Sequence, residues 1–167
     1  MSNESARRIV LASRPKGQPT ADDFRLEPLP VPKPGVQQLL LRTLYLSLDP
    51  YMRGRMDSAK SYASPVAIGD VMTGECIAEV VESNHAGYAV GDVVLAHAGW
   101  QTHAISDGAG VRKIDSTDAP LTTRLGVLGM PGFTAYSGMR VIGQPKAGET
   151  VVVAAASGPV GATVGQL

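Results

Sequence analysis

The chain has 167 residues, 44% of them hydrophobic and 18% charged, with fifteen Lys and Arg balanced by fifteen Asp and Glu. That length suits one compact domain plus a piece of another. Zero net charge with scattered cations removes the electrostatic case for nucleic acid or an anionic membrane surface, and no apolar stretch is long enough to cross a bilayer, so small-molecule chemistry is expected.

The single cysteine, Cys76, cannot form an internal disulfide, and the sequence has neither a CxxC pair nor a Cys/His cluster with metal-ligand spacing. This usage suits a reducing cytoplasm. Near the start, Ile9-Val10-Leu11-Ala12 is too short for a secretory apolar region, so neither export nor anchoring is expected.

From Arg7 to about Ile114 the chain reads as short apolar or alternating runs broken by Pro and Gly, the pattern of small antiparallel sheets and barrels. Strands are predicted at Arg8 to Ala12, Phe24 to Pro28, Gln38 to Leu46, Thr73 to Glu82, Val93 to Gly99 and Gln101 to Ser106. Between the second and third, Pro30, Val31, Pro32, Lys33, Pro34 and Gly35 predict an extended connection, because prolines cannot donate to a ladder. Gly87 to Asp92 reads as a turn in which the glycines supply backbone freedom and Asp92 bonds the turn's own N–H groups.

After Pro120 the pattern changes to helical spacing over Leu121 to Leu128 and Thr134 to Val141, with Met130-Pro131-Gly132 expected to break the two. Val151 to Ala155 then reads as a buried strand, and Ser157, Gly158, Pro159, Val160 and Gly161 as a glycine turn opening a helix. Such a turn presents free backbone N–H groups to a pyrophosphate: Gly158 admits a phosphate closely, and Gly161 with Gly165 lets the helix pack on its sheet. A plain strand-to-helix turn is the alternative. A parallel strand needs neighbours on both sides, so this end of the chain is expected to be the beginning of a dinucleotide domain and poorly stable alone.

Four motifs in order carry a family resemblance: Ser47 to Gly54 (SLDPYMRG), Val71 to Gly74 (VMTG), Leu128 to Tyr136 (LGMPGFTAY) and Gly143 to Val153 (GQPKAGETVVV). Together they resemble the zinc-independent medium-chain dehydrogenase/reductase superfamily, in particular its branch of prostaglandin, alkenal double-bond and curcumin reductases. The resemblance implies a mainly β architecture: a GroES-like, partly open β-barrel over about residues 1–125. Residues 126–167 would hold a helical connection and the first βα element of a truncated Rossmann α/β domain. In the family the chain later returns to complete the first domain.

The implied activity is NADPH-dependent reduction of the activated C=C bond of an enone or enal, with the 167 residues alone inactive. No metal is implied, since Ser47 to Tyr51 and Thr73 to Cys76 lack the Cys and Gly-His-Glu of zinc-dependent relatives, and His85, His97 and His103 stand apart. The negative charge that collects on the carbonyl oxygen needs a donor, and Tyr51 matches the family tyrosine of the substrate cleft; a half-buried aromatic at the barrel mouth is the alternative. Tyr62, in the segment Ser58 to Pro65, either faces substrate or is a solvated loop residue.

Arg53 and Arg55 either attract an acidic group or form a solvated face. Met130, Gly132 and Thr134 match the family segment approaching the nicotinamide, against packing within a helical break. Two other accounts stand beside the reductase: a non-catalytic, truncated GroES-like domain for binding or assembly, and a quinone reductase of the same superfamily. The resemblance also allows a homodimer.

Overall fold

The computed structural model describes residues 5–59, 61–115 and 119–167, which divide into two compact units, Met1–Asp115 and Ser116–Leu167. Strands β1 (Ser5–Leu11), β2 (Phe24–Pro30), β3 (Leu39–Leu46), β4 (Cys76–Ser83), β5 (Val93–Ala96), β6 (His103–Ser106) and β7 (Arg112–Lys113) make up most of the first unit. A short helix, α1 (Tyr51–Arg55), lies between β3 and β4. β1 and β2 form an antiparallel ribbon in register from Ser5↔Pro30 to Leu11↔Phe24, and the other strands follow the order β6-β3-β4-β5-β7, all pairings antiparallel.

β1 also bonds to the segments that lead into β4 and β6. Ile9 donates its N–H to the Trp100 carbonyl at 2.8 Å, and its own carbonyl accepts from Met72 N–H at 3.0 Å. The architecture is thus mainly β with partly open sheets. β2 stops at Pro30, where the prolines withdraw their N–H groups from any ladder. Inward residues alternate along the strands: Leu39 and Leu41, then Cys76, Ala78 and Val80, then Val94 and Ala96, form one core cluster. Leu11, Met56 and Met72 form a second, covered by Phe24, Val66 and Trp100.

Several boundaries differ from the sequence expectation for local reasons. The fifth strand ends at Ala96 and not Gly99. Gly99 adopts φ 75°, and a Cβ there would sit 2.6 Å from the Met72 carbonyl oxygen, so the chain turns sharply where only glycine fits. The fourth strand starts at Cys76, after Thr73 and Gly74, and the sixth is shortened to His103. In the Gly87 to Asp92 turn, the Asp92 carboxylate accepts the Ala89 N–H at 2.8 Å and pairs with Lys113 at 2.7 Å. The Lys113 ammonium, and then the Ala89 N–H, hold that carboxyl below the usual carboxylate range.

The second unit holds a 3₁₀ turn at Leu121–Leu125, helix α2 (Met130–Ser137), a π-wound stretch Gly138–Gly143 and helix α3 (Pro159–Val164). Met130-Pro131-Gly132 does not break two helices. It opens α2, because a proline in the first helical turn gives up an N–H that has no helical acceptor. The expected helix at Leu121 to Leu128 is only the 3₁₀ turn. Val151 to Ala155 is not a strand either: Val152 is 87% exposed, and the chain passes through a turn at 154–157 into α3. Ladder bonds require a neighbouring strand, and none lies beside this segment among the described residues. Of the expected strand, turn and helix, the turn and the helix are present.

Candidate active site

Helix α1 begins at Tyr51, the residue for which the family resemblance implies a catalytic role. Pro50 stands at its N-cap with φ −55°, already helical, and the Asp49 and Pro50 carbonyls accept from Met52 and Arg53 at 3.1 Å each. Met52 and Met56, one turn apart, are buried and anchor the helix, leaving Tyr51 and Arg55 half-buried on the side between them and solvent.

Two arginines hold this short helix against the rest of the barrel unit. Arg53 donates from Nε to Gly17 O at 3.0 Å and from Nη2 to Pro15 O at 3.2 Å, and pairs through Nη1 with Asp57 at 2.7 Å. Arg14 donates to the Met56 and Val66 carbonyls at 2.6 and 3.2 Å. Arg53 is therefore a clamp between α1 and the 15–17 loop, committed to main-chain acceptors, which neither of its sequence readings anticipated. A five-residue helix has too little hydrogen bonding of its own to persist, so these tertiary bonds set where Tyr51 stands.

Burial pushes the Tyr51 phenol above its ordinary value, and the Asp49 and Glu75 carboxylates add to the rise. Arg55 and a hydrogen-bonding contact with the Thr73 side chain act in the opposite sense. The net direction leaves an O–H that stays protonated through and beyond neutral pH, which is the state of a hydrogen-bond donor. Tyr62 is 85% exposed on the loop after α1, and no ring contact joins it to Tyr51 among the described residues.

The histidines have separate surroundings. His85 Nδ1 faces the Gly87 N–H at 3.0 Å inside a turn and packs edge-on to Tyr88, whereas His103 is buried on β6 beside the Thr102 hydroxyl. Among the described residues no three His, Cys, Asp or Glu side chains converge as a metal site. Cys76 is a buried core thiol, pushed up by desolvation.

The remaining expected site residues lie in the second unit. Gly132 packs so closely that a Cβ would stand 1.8 Å from the Val127 carbonyl oxygen. Thr134 turns its hydroxyl back to the Met130 carbonyl at 2.8 Å, and Met130 is 41% exposed, not buried in a core. In the glycine turn, Gly158 caps α3, Pro159 and Val160 begin it, and Ser157 is exposed. Gly161 is buried, and a Cβ there would stand 2.0 Å from Ala155 O, so the turn folds onto the helix only because this residue is glycine. A glycine at the head of α3 and a second at this close approach, where a Cβ would fill the turn, fit a phosphate-bearing cofactor.

Sequence reasoning did not separate Arg55 from Arg53. The two differ in structure: Arg55 Nε and Nη1 are buried with no hydrogen-bond partner. The alternation of basic residues around Gly54 was the only available signal, and it could not show which guanidinium would be occupied.

A mainly β unit with Tyr51 on a short helix, followed in the chain by a glycine turn into a second helix, is the order of elements that the family resemblance implies. Residues 7–114 match the family described as the N-terminal domain of oxidoreductase, and the chain belongs to that family. It is 60% identical over 161 residues to the NADPH-dependent curcumin reductase of Escherichia coli (strain K12), covering 96% of this chain and 47% of that protein. It is 44% identical over 154 residues to prostaglandin reductase 1 of Oryctolagus cuniculus, covering 90% and 42%. Among solved structures, CurA of Vibrio vulnificus in complex with NADPH superposes with a TM-score of 0.88 at 56% identity, covering 96% of this chain and 48% of that one. The chain spans about half the length of the curated relatives it matches.

Proposed function

We propose that these residues are the substrate-side half of an NADPH-dependent oxidoreductase that reduces the activated C=C bond of enones and enals without zinc. The observation that carries this reading is the kept phenol of Tyr51 at the head of α1, in a chain 60% identical to a curcumin reductase. NADPH, when bound, supplies hydride to the β-carbon of the substrate.

Tyr51 donates its O–H to the substrate carbonyl oxygen as that oxygen gains negative charge. Because burial keeps the proton on the phenol, the donor is in place before reaction and needs no reorganisation. The clamp from Arg53 to the 15–17 loop fixes the donor's position. We assign residues 1–125 to the GroES-like domain and 126–167 to the helical connection and first part of the Rossmann domain. Met130, Gly132 and Thr134 would border the nicotinamide, and Ser157, Gly158, Pro159, Val160 and Gly161 the pyrophosphate. Tyr62 would line the outer part of the cleft. A buried single thiol suits a reducing cytoplasm, and no described helix is long and apolar enough to cross a membrane.

The test is NADPH oxidation by the complete native protein with a panel of enals, enones and quinones. Turnover of the first two classes with a drop of about 100-fold or more in kcat for Tyr51→Phe supports the reading, the size expected for removing one oxyanion donor. Turnover of quinones alone would reassign the substrate class, and an unchanged kcat for the variant would remove the hydroxyl from the chemistry.

A further inference from the structure

Arg55 takes no part in the hydrogen bonds by which Arg14 and Arg53 fasten α1. It lies one helical turn after Tyr51 on α1, and its charge reaches the phenol. Its Nε and Nη1 are buried, yet they have no hydrogen-bond partner. Its neighbour Arg53, two residues before it, has every nitrogen engaged. A buried donor with no partner in the protein costs stability, and a ligand oxygen that accepts from it offsets that cost.

The electrostatics say what kind of ligand. Two carboxylates, Asp49 and Glu75, act on the same phenol that Arg55 does. A ligand bearing its own full negative charge would meet both of them. An uncharged oxygen, such as a ketone, aldehyde or hydroxyl, accepts from the guanidinium without that repulsion. We propose that Arg55 is a specificity-determining residue that takes an uncharged oxygen acceptor of the substrate, beside Tyr51. The identity of that substrate as a carbonyl compound rests on the function proposed above.

Removing the side chain separates this role from a structural one. In the complete native protein, without cofactor, the dissociation constants of benzylideneacetone, of the same enone carrying a ring carboxylate, and of the oxygen-free β-methylstyrene are measured by calorimetry or NMR titration. Arg55→Met is expected to weaken benzylideneacetone by about tenfold or more and to leave β-methylstyrene unchanged, with Arg55→Lys between wild type and Met. The same Arg55→Met change is expected to raise the thermal midpoint by about 2–4 °C, because a buried unpaired donor is lost and an apolar stem of similar length remains.

A lowered midpoint would make Arg55 a structural residue, equal weakening of all three compounds would make it a packing residue, and tighter Arg55-dependent binding of the carboxylated enone would make the ligand an anion. Each overturns the proposal. The two readings fail separately. Binding that depends on Arg55 without NADPH oxidation sinks the reductase, whereas enone reduction and binding indifferent to Arg55 sink this assignment alone.

Discussion

Replacing Arg53 with Met keeps most of the side-chain stem and removes three polar contacts that fasten α1. The exposed pair with Asp57 contributes about 0–1 kcal/mol, since solvent screens it. The bonds to the Gly17 and Pro15 carbonyls are longer-range in sequence and contribute roughly 0.5–1 kcal/mol each. The sum is about 2 kcal/mol, which at about 3 °C per kcal/mol lowers the thermal midpoint by about 6 °C. Asp57→Ala removes only the screened pair, so it should shift the midpoint by less than about 3 °C. Differential scanning fluorimetry with urea unfolding of both variants measures the difference. Equal midpoints for the two variants would refute the clamp, because the loop carbonyls would then contribute nothing. An Arg53→Met protein with wild-type stability but weakened cofactor binding would return Arg53 to the role of attracting an acidic group, considered from sequence.

Further consequences follow from individual groups. The Ser13 hydroxyl, then the Thr20 N–H, hold the Asp23 carboxyl below its usual value of 3.8. Its folded value is depressed, so its stabilisation is complete above pH 3.8 and is lost as pH falls through the lower folded value; Asp23→Asn should flatten the stability-versus-pH curve below about pH 4 in acid titrations followed by circular dichroism. Gly54→Ala in α1 meets nothing within 4 Å and should raise stability by about 0.5–1 kcal/mol, whereas Gly161→Ala drives a methyl to 2.0 Å from Ala155 O and should displace the turn, visible as large amide shift changes over 155–162. The Cys76 thiol should react with a disulfide reagent at least tenfold more slowly in the native protein than in urea, because burial both shields it and disfavours its thiolate.

Much of the barrel unit was legible in the chain. Apolar runs at Leu39–Leu46 and Cys76–Ser83 are strands whose first three residues are buried on both faces, and the proline series after Pro30 ends β2 because it cannot donate. Tyr51 was singled out only through the family motif, since nothing local in the sequence distinguishes a phenol that donates to substrate from one that packs. The helix that carries it was not legible at all: five residues with a glycine among them have no periodic signal, and α1 exists through Arg14, Arg53 and two buried methionines.

The sequence by itself determined the strand-forming segments, the turns that require glycine or proline, and the glycine-turn-to-helix order at residues 157–164. These are set by side-chain alternation and backbone freedom, which act over a few residues. Only the tertiary structure decided that Met130-Pro131-Gly132 starts a helix, that Val151 to Ala155 joins no ladder and is already turning at Ala154, and that of two arginines around Gly54 one is a clamp and the other is left with unpaired donors. Each of those outcomes depends on acceptors or neighbouring strands far away in the chain, and a hydrogen bond's partner is a matter of position in space.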